Sequence, residues 1–110
     1  MQQSDELNEA PPSRNRAAAA EQDQAAGGLQ HRKIRIPSGD VVTASLALSV
    51  GDTSAYAVLR FKHEKQTFRQ PVGSIKKAPT RHEMLAAAWR LAREQKSIEK
   101  NGWSWVVSTA

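Results

Sequence analysis

Between Ala55 and Val72 the sequence reads AYAVLRFKHEKQTFRQPV, and its residues alternate. Ala57, Leu59, Phe61 and Phe68 fall on one side; Tyr56, Val58, Arg60, Lys62, Lys65, Thr67 and Arg69 fall on the other. Strand side chains point to opposite faces with a period of two, so this pattern specifies paired strands with one apolar face. The expected strands are Ala55–Lys62 and about Lys65–Val72, closed around His63-Glu64 as a two-residue hairpin. Phe61 then opposes Gln66, Arg60 opposes Thr67, Leu59 opposes Phe68 and Val58 opposes Arg69. Pro71 has no N–H to donate, which confines the later strand to an edge or to its own end.

The flanking segments extend the sheet. Val41–Val50 (VVTASLALSV) alternates as well and predicts a half-buried strand, followed by a Gly51-Asp52-Thr53-Ser54 turn. Thr80 followed by Glu83 is a capping-box pattern, and Leu85, Ala88, Trp89 and Ala92 recur at helical spacing. Asn101-Gly102 stops that helix, and Trp103–Val107 alternates again. The order predicts an α+β fold, β-β-β-α-β: a mixed four-stranded sheet with one helix packed on one face. A helix between strands implies a crossover and hence a last strand parallel to an earlier one.

Charge divides the chain into two parts. Residues 1–30 hold five acids (Asp5, Glu6, Glu9, Glu21, Asp23) and two arginines, a net of −3. Residues 31–110 hold fourteen Lys/Arg and six Asp/Glu, a net of +8. The first part is rich in Gln and Ala, with little to bury, and is expected to be a disordered acidic tail. Its Arg16–Ala26 stretch favours transient helix through alanine but carries no apolar stripe to dock. The second part is a basic domain, and such domains attract polyanions, nucleic acid above all.

The cations fall in three groups. His31, Arg32, Lys33 and Arg35 form a basic arm, read either as phosphate contacts or as the charged guard of an edge strand. Arg60, Lys62, Lys65 and Arg69, with Tyr56, occupy the polar face of the hairpin. That face is either a phosphate-binding surface or the ordinary wet side of a one-sided sheet. Lys76, Lys77 and Arg81 sit at the helix start, where the dipole disfavours cations; they read either as partners of an anion docked there or, preferably, as exposed loop cations whose cost is only tenths of a kcal/mol. Trp89, Trp103 and Trp105 read as core or interface residues.

Other chemistry finds no support. His31, His63 and His82 are scattered, and no His/Asp/Glu spacing along the chain suits a metal. There is no cysteine, no nucleophile triad and no glycine-rich phosphate loop, so no catalytic residue and no cofactor is expected. No apolar run is long enough to span a membrane and the N-terminus lacks a leader pattern, so a cytoplasmic setting is expected.

Several stretches resemble the first half of a ribonuclease H-type domain. AYAVLRF, KQTFRQPVG and TRHEMLAAAWRLAREQK are similar to that family's second strand, third strand and first helix; WVVSTA is similar to its fourth strand, which ends in Ser-Thr-Asp. The likeness covers roughly half of this chain. It implies the fold and an affinity for nucleic acid. The family's activity needs several acids around two Mg²⁺ ions. Only Glu83 matches one of them, while Ala110 stands where another would be, so the resemblance implies no nuclease. Three strands and a helix also resemble the arm-type DNA-binding modules of phage integrases. The expected function is a small non-enzymatic nucleic-acid-binding protein, accessory or regulatory. The alternatives are a protein-interaction module, paired with itself as a homodimer or with another protein through an open sheet edge, and a hydrolase completed by a partner chain.

Overall fold

The computed structural model describes residues 14–107. Its elements run α1 (Arg14–Ala26), β1 (Lys33–Arg35), β2 (Val41–Thr43), β3 (Ser45–Val50), β4 (Ser54–His63), β5 (Gln66–Lys76), α2 (Arg81–Glu94) and β6 (Ser104–Trp105). Two short 3-10 turns, Leu29–Arg32 and Ser97–Asn101, connect them. The strands form two three-stranded sheets, β2-β1-β6 and β3-β4-β5, and every pairing is antiparallel. No helix among the described residues is long and apolar enough to cross a membrane.

This α+β architecture overturns the expected single mixed four-stranded sheet with one helix. The first difference lies at Ala44. Val41–Val50 is one extended run, but it serves two sheets. Val41–Thr43 pairs with β1, Ser45–Val50 pairs with β4, and Ala44 between them donates its N–H to Arg32 O at 2.9 Å. The second difference lies after α2. Gly102 adopts a left-handed φ of 78°, and an added Cβ there would meet Pro37 Cγ at 3.0 Å, so the reversal requires glycine. The turn delivers Ser104 and Trp105 antiparallel to Arg35 and Ile34, so no parallel crossover forms.

The third difference is α1, which lies where a disordered tail was expected. Residues 1–13 of that tail lie outside the described residues. Arg14–Ala26 packs against α2, burying Ala26 in the core, and is fastened by hydrogen bonds through Gln22. Gln22 is buried: its Nε2 donates to Leu46 O at 2.8 Å, while its Oε1 accepts from Leu46 N at 3.0 Å and from Trp89 Nε1 at 2.9 Å. Leu46 opposes Leu59 in β4, and its backbone groups satisfied by Gln22 lie on the strand edge that β1 no longer covers. The side-chain amide completes that edge as a neighbouring strand would. Glu21 pairs with Arg81 at 2.8 Å, and Asp23 pairs with Arg32.

The hairpin forms with its turn one residue later than expected. Glu64 and Lys65 occupy the turn with φ of 51° and 69°, and Phe61 opposes Phe68. Left-handed conformations cost non-glycine residues about 1 kcal/mol or more each. The compensating gain is aromatic: the Phe61 and Phe68 rings stack at 5.2 Å, and Trp103 meets Phe61 edge-on at 4.8 Å. The shift moves each partner by two positions, so the two faces keep their composition. Pro71 lies within β5, an edge strand, next to a bulge opposite Ala57 and Val58.

The core lies between α2 and the apolar side of the sheets. Leu46, Leu59, Leu85 and Trp89 are at most 2% exposed, joined by Ile34, Ala44, Ala57, Ala88 and Ala92. The α2 stripe expected from spacing is therefore the buried one. Full burial of a leucine-sized side chain contributes about 1.5–3 kcal/mol. The α2 start is capped as expected, with Thr80 Oγ1 accepting from Glu83 N at 3.1 Å. Thr80→Ala is expected to lower stability by about 1 kcal/mol in a denaturant titration. A change within error would assign the cap no role.

Candidate nucleic-acid interface

The side of the sheets turned away from α2 carries the candidate site. Along β4, Ala55, Ala57, Leu59 and Phe61 are buried, so Tyr56, Arg60 and Lys62 project from the opposite, outer face. The register arranges that face in rows. Ser45, Arg60 and Arg69 lie side by side across β3, β4 and β5, and Lys62 lies beside Thr67. One row further along are Ala47, Val58 and Pro71, followed by Ser49, Tyr56 and Ser74. In the small sheet Ile34 and Val42 are buried, which turns Lys33, Arg35, Val41 and Thr43 outward. Lys33 Nζ donates to Thr43 Oγ1 at 3.2 Å. Thr43, Ser45, Arg60, Lys62, Thr67 and Arg69 line one shallow depression of about 540 Å³, so both sheets contribute to it.

The electrostatics of this face are one-sided. The strands carry six Lys/Arg (Lys33, Arg35, Arg60, Lys62, Arg69, Lys76) and no Asp or Glu. Among the described residues, the ion pairs are Arg32–Asp23, His63–Asp40 and Arg81–Glu21. None of them draws on the outer face. Arg60 directly opposes Arg69. Like charges placed opposite each other across strands destabilise a sheet, by a few tenths of a kcal/mol up to about 1. An anion bound between them removes that cost.

The expected site residues separate into those the fold gathers and those it does not. Arg60, Lys62 and Arg69 line the depression, and Lys33 reaches its edge through Thr43. Arg35 shares the outer face of the small sheet and donates to Gly39 O at 3.2 Å. Tyr56 is 43% exposed but lies two rows from the Arg60–Arg69 pair. Lys65 is drawn into the hairpin turn, Lys76 lies at the far end of β5 opposite Ser54, and Lys77 follows in the loop. Arg32 is buried behind this face, against Ser45, instead of on it. It is 5% exposed and donates to Ala44 O at 2.9 Å, to Ala19 O at 3.3 Å and to Ser45 Oγ at 3.0 Å, beside its pairing with Asp23. The charge mismatch at the start of α2 also has an internal explanation, because Arg81 pairs with Glu21.

Of the three hydroxyls in the depression, sequence reasoning placed Thr67 on the polar face without a role and passed over Thr43 and Ser45. Their signal was present in the polar half of the alternating strands, where hydroxyls can donate to phosphate oxygens. Trp103 and Trp105 turn inward, the former onto Phe61 and the latter onto Trp89 at 6.1 Å, with the Arg93 guanidinium 5.0 Å from the Trp105 ring. Burial holds the Arg93 pKa below its ordinary value. No family model, no curated protein and no solved structure matches this chain.

Proposed function

We propose that this chain is a small non-enzymatic nucleic-acid-binding protein that engages the phosphate backbone through the outer face of its sheets. The observation that carries this reading is the opposed Arg60–Arg69 pair, flanked by Lys62 and Lys33, on strands that hold no acid. Thr43, Ser45 and Thr67 add hydroxyl donors around the same depression. Contacts of this type position a protein on the backbone and carry little sequence information. Lys33, Arg60, Lys62 and Arg69 supply four cations, so log K is expected to fall with log salt at a slope of about −3 to −4 on duplex DNA.

The test is a fluorescence titration with labelled duplex and single-stranded DNA and RNA over a range of salt. Alongside it runs a triple charge reversal, Arg60→Glu, Lys62→Glu and Arg69→Glu. These side chains are exposed and have no hydrogen-bond or ion-pair partner among the described residues, so the fold is expected to persist. Salt-dependent binding by the native chain, abolished in the variant, is the expected result. An unaffected variant, or no binding at low salt, would reduce this face to the solvated side of a sheet.

A further inference from the structure

On the other side of the sheets the fold brings three metal-capable side chains together. Asp40 ends the turn between β1 and β2, His63 ends β4, and Glu64 opens the hairpin turn after it. One ligand atom from each lies within 4.8 Å of the other two. Asp40 Oδ2 and His63 Nε2 are 2.8 Å apart, although 23 positions separate the residues along the chain. We propose that Asp40, His63 and Glu64 form a binding site for a borderline first-row divalent cation, of which Zn²⁺ is the representative. The ion would fasten the β1–β2 turn of one sheet to the β4–β5 hairpin tip of the other.

The donor set sets the class of ion. An imidazole nitrogen suits zinc, copper and nickel, while magnesium and calcium prefer oxygen alone. Two carboxylates balance the charge of a dication. Three protein ligands leave a coordination position for water, as in open zinc sites. The geometry requires small movements. Tetrahedral ligands at zinc distances stand about 3.3 Å apart, so the Asp40–His63 pair opens by about half an ångström. Glu64 is exposed and closes the remaining gap of at most about 1.5 Å by rotating its side chain.

The local electrostatics favour a cation here. Asp40 and Glu64 bring two carboxylates to the side of one imidazole, and His63 Nε2 exchanges its hydrogen bond with Asp40 for the ion. His63 shares its strand face with Phe61 at the rim of the core, whereas Lys62 points to the outer face. Lys65, the second turn residue, and Arg35, which donates to Gly39 O beside Asp40, are the nearby cations whose charge opposes binding. Because the ligands come from both sheets, an ion bound only by the native state raises the melting temperature.

The test is calorimetric titration of the full chain with zinc chloride, and separately with magnesium chloride, for the native sequence and for Asp40→Ala, His63→Ala and Glu64→Ala. Circular dichroism establishes that each variant is folded. The expected result is one Zn²⁺ per chain, no Mg²⁺ uptake over the same range, and binding at least about tenfold weaker in each variant, the lower end of what losing even an outer partner of a metal site costs. Zinc is further expected to raise the melting temperature of the native chain and not of His63→Ala. Absence of one-to-one uptake at millimolar zinc would overturn the proposal and leave an Asp40–His63 ion pair. Undiminished uptake in all three variants would also overturn it, placing the ion at His31, His82 or another group.

Discussion

Replacing Arg32 by alanine is expected to cost about 3–5 kcal/mol of stability, the range found when one partner of a buried charged network is removed. The side chain is 5% exposed and holds four acceptors at once: Ala44 O, Ala19 O, Ser45 Oγ and the Asp23 carboxylate. Two of these lie where the Val41–Val50 run passes from one sheet to the other. The other two, Ala19 O and the Asp23 carboxylate, are on α1, so the guanidinium joins both sheets to the helix. Asp23 is partly exposed and can be rehydrated once its partner is gone, which places the cost toward the lower end. Arg32→Lys is expected to recover less than half of it, because one ammonium cannot reproduce a planar fork with five donors. Urea denaturation of the three proteins measures both effects. A loss below about 1 kcal/mol for Arg32→Ala would return the residue to the class of exposed cations. A phosphate-contacting arm residue would behave in the opposite way, leaving stability intact and weakening nucleic-acid binding.

The contrast between Arg32 and Arg60 shows where sequence reasoning reaches its limit. The β4–β5 hairpin was legible because its period of two fixes which side chains share a face, whatever the register. The register itself was not legible. It is decided by Phe61 meeting Phe68 and Trp103, and Trp103 lies 35 positions after Phe68. The α2 helix was legible from its cap and its stripe. The α1 helix was legible only as a transient one from its alanines; its docking was not, because Gln22 fastens it by hydrogen bonds and apolar periodicity does not register an amide. Arg32 and Lys33 are adjacent and equally charged, yet one is buried and the other lies by the outer depression. Charge says nothing about burial; that follows from the backbone acceptors tertiary structure places nearby. The Asp40–His63–Glu64 group is of the same kind, since its members meet only when two turns from different sheets come together.

Removing residues 1–30 is expected to unfold the domain, whereas removing residues 1–13, with the acids Asp5, Glu6 and Glu9, is expected to tighten nucleic-acid binding a few-fold at low salt. An acidic segment can compete with nucleic acid for a basic face. Two of its five acids are already committed to the fold, Glu21 to Arg81 and Asp23 to Arg32. The other three, Asp5, Glu6 and Glu9, lie outside the described residues, and competition by their charge should vanish as salt screens it. The longer deletion removes something different. Without Gln22, Leu46 N, Leu46 O and Trp89 Nε1 lose their partners, and each buried polar group left unsatisfied costs about 1–3 kcal/mol. Arg32 loses Asp23 and Ala19 O in the same step. Those losses together approach the 5–15 kcal/mol that a domain of this size commonly has in total. Gln22→Ala isolates the first contribution and should lower stability by about 3 kcal/mol without touching the charge of the chain. Thermal melts by circular dichroism, paired with the binding titration, separate the two roles. A cooperative, undiminished melt for the chain lacking residues 1–30 would mean that α1 is dispensable and that its acids act on the basic face alone.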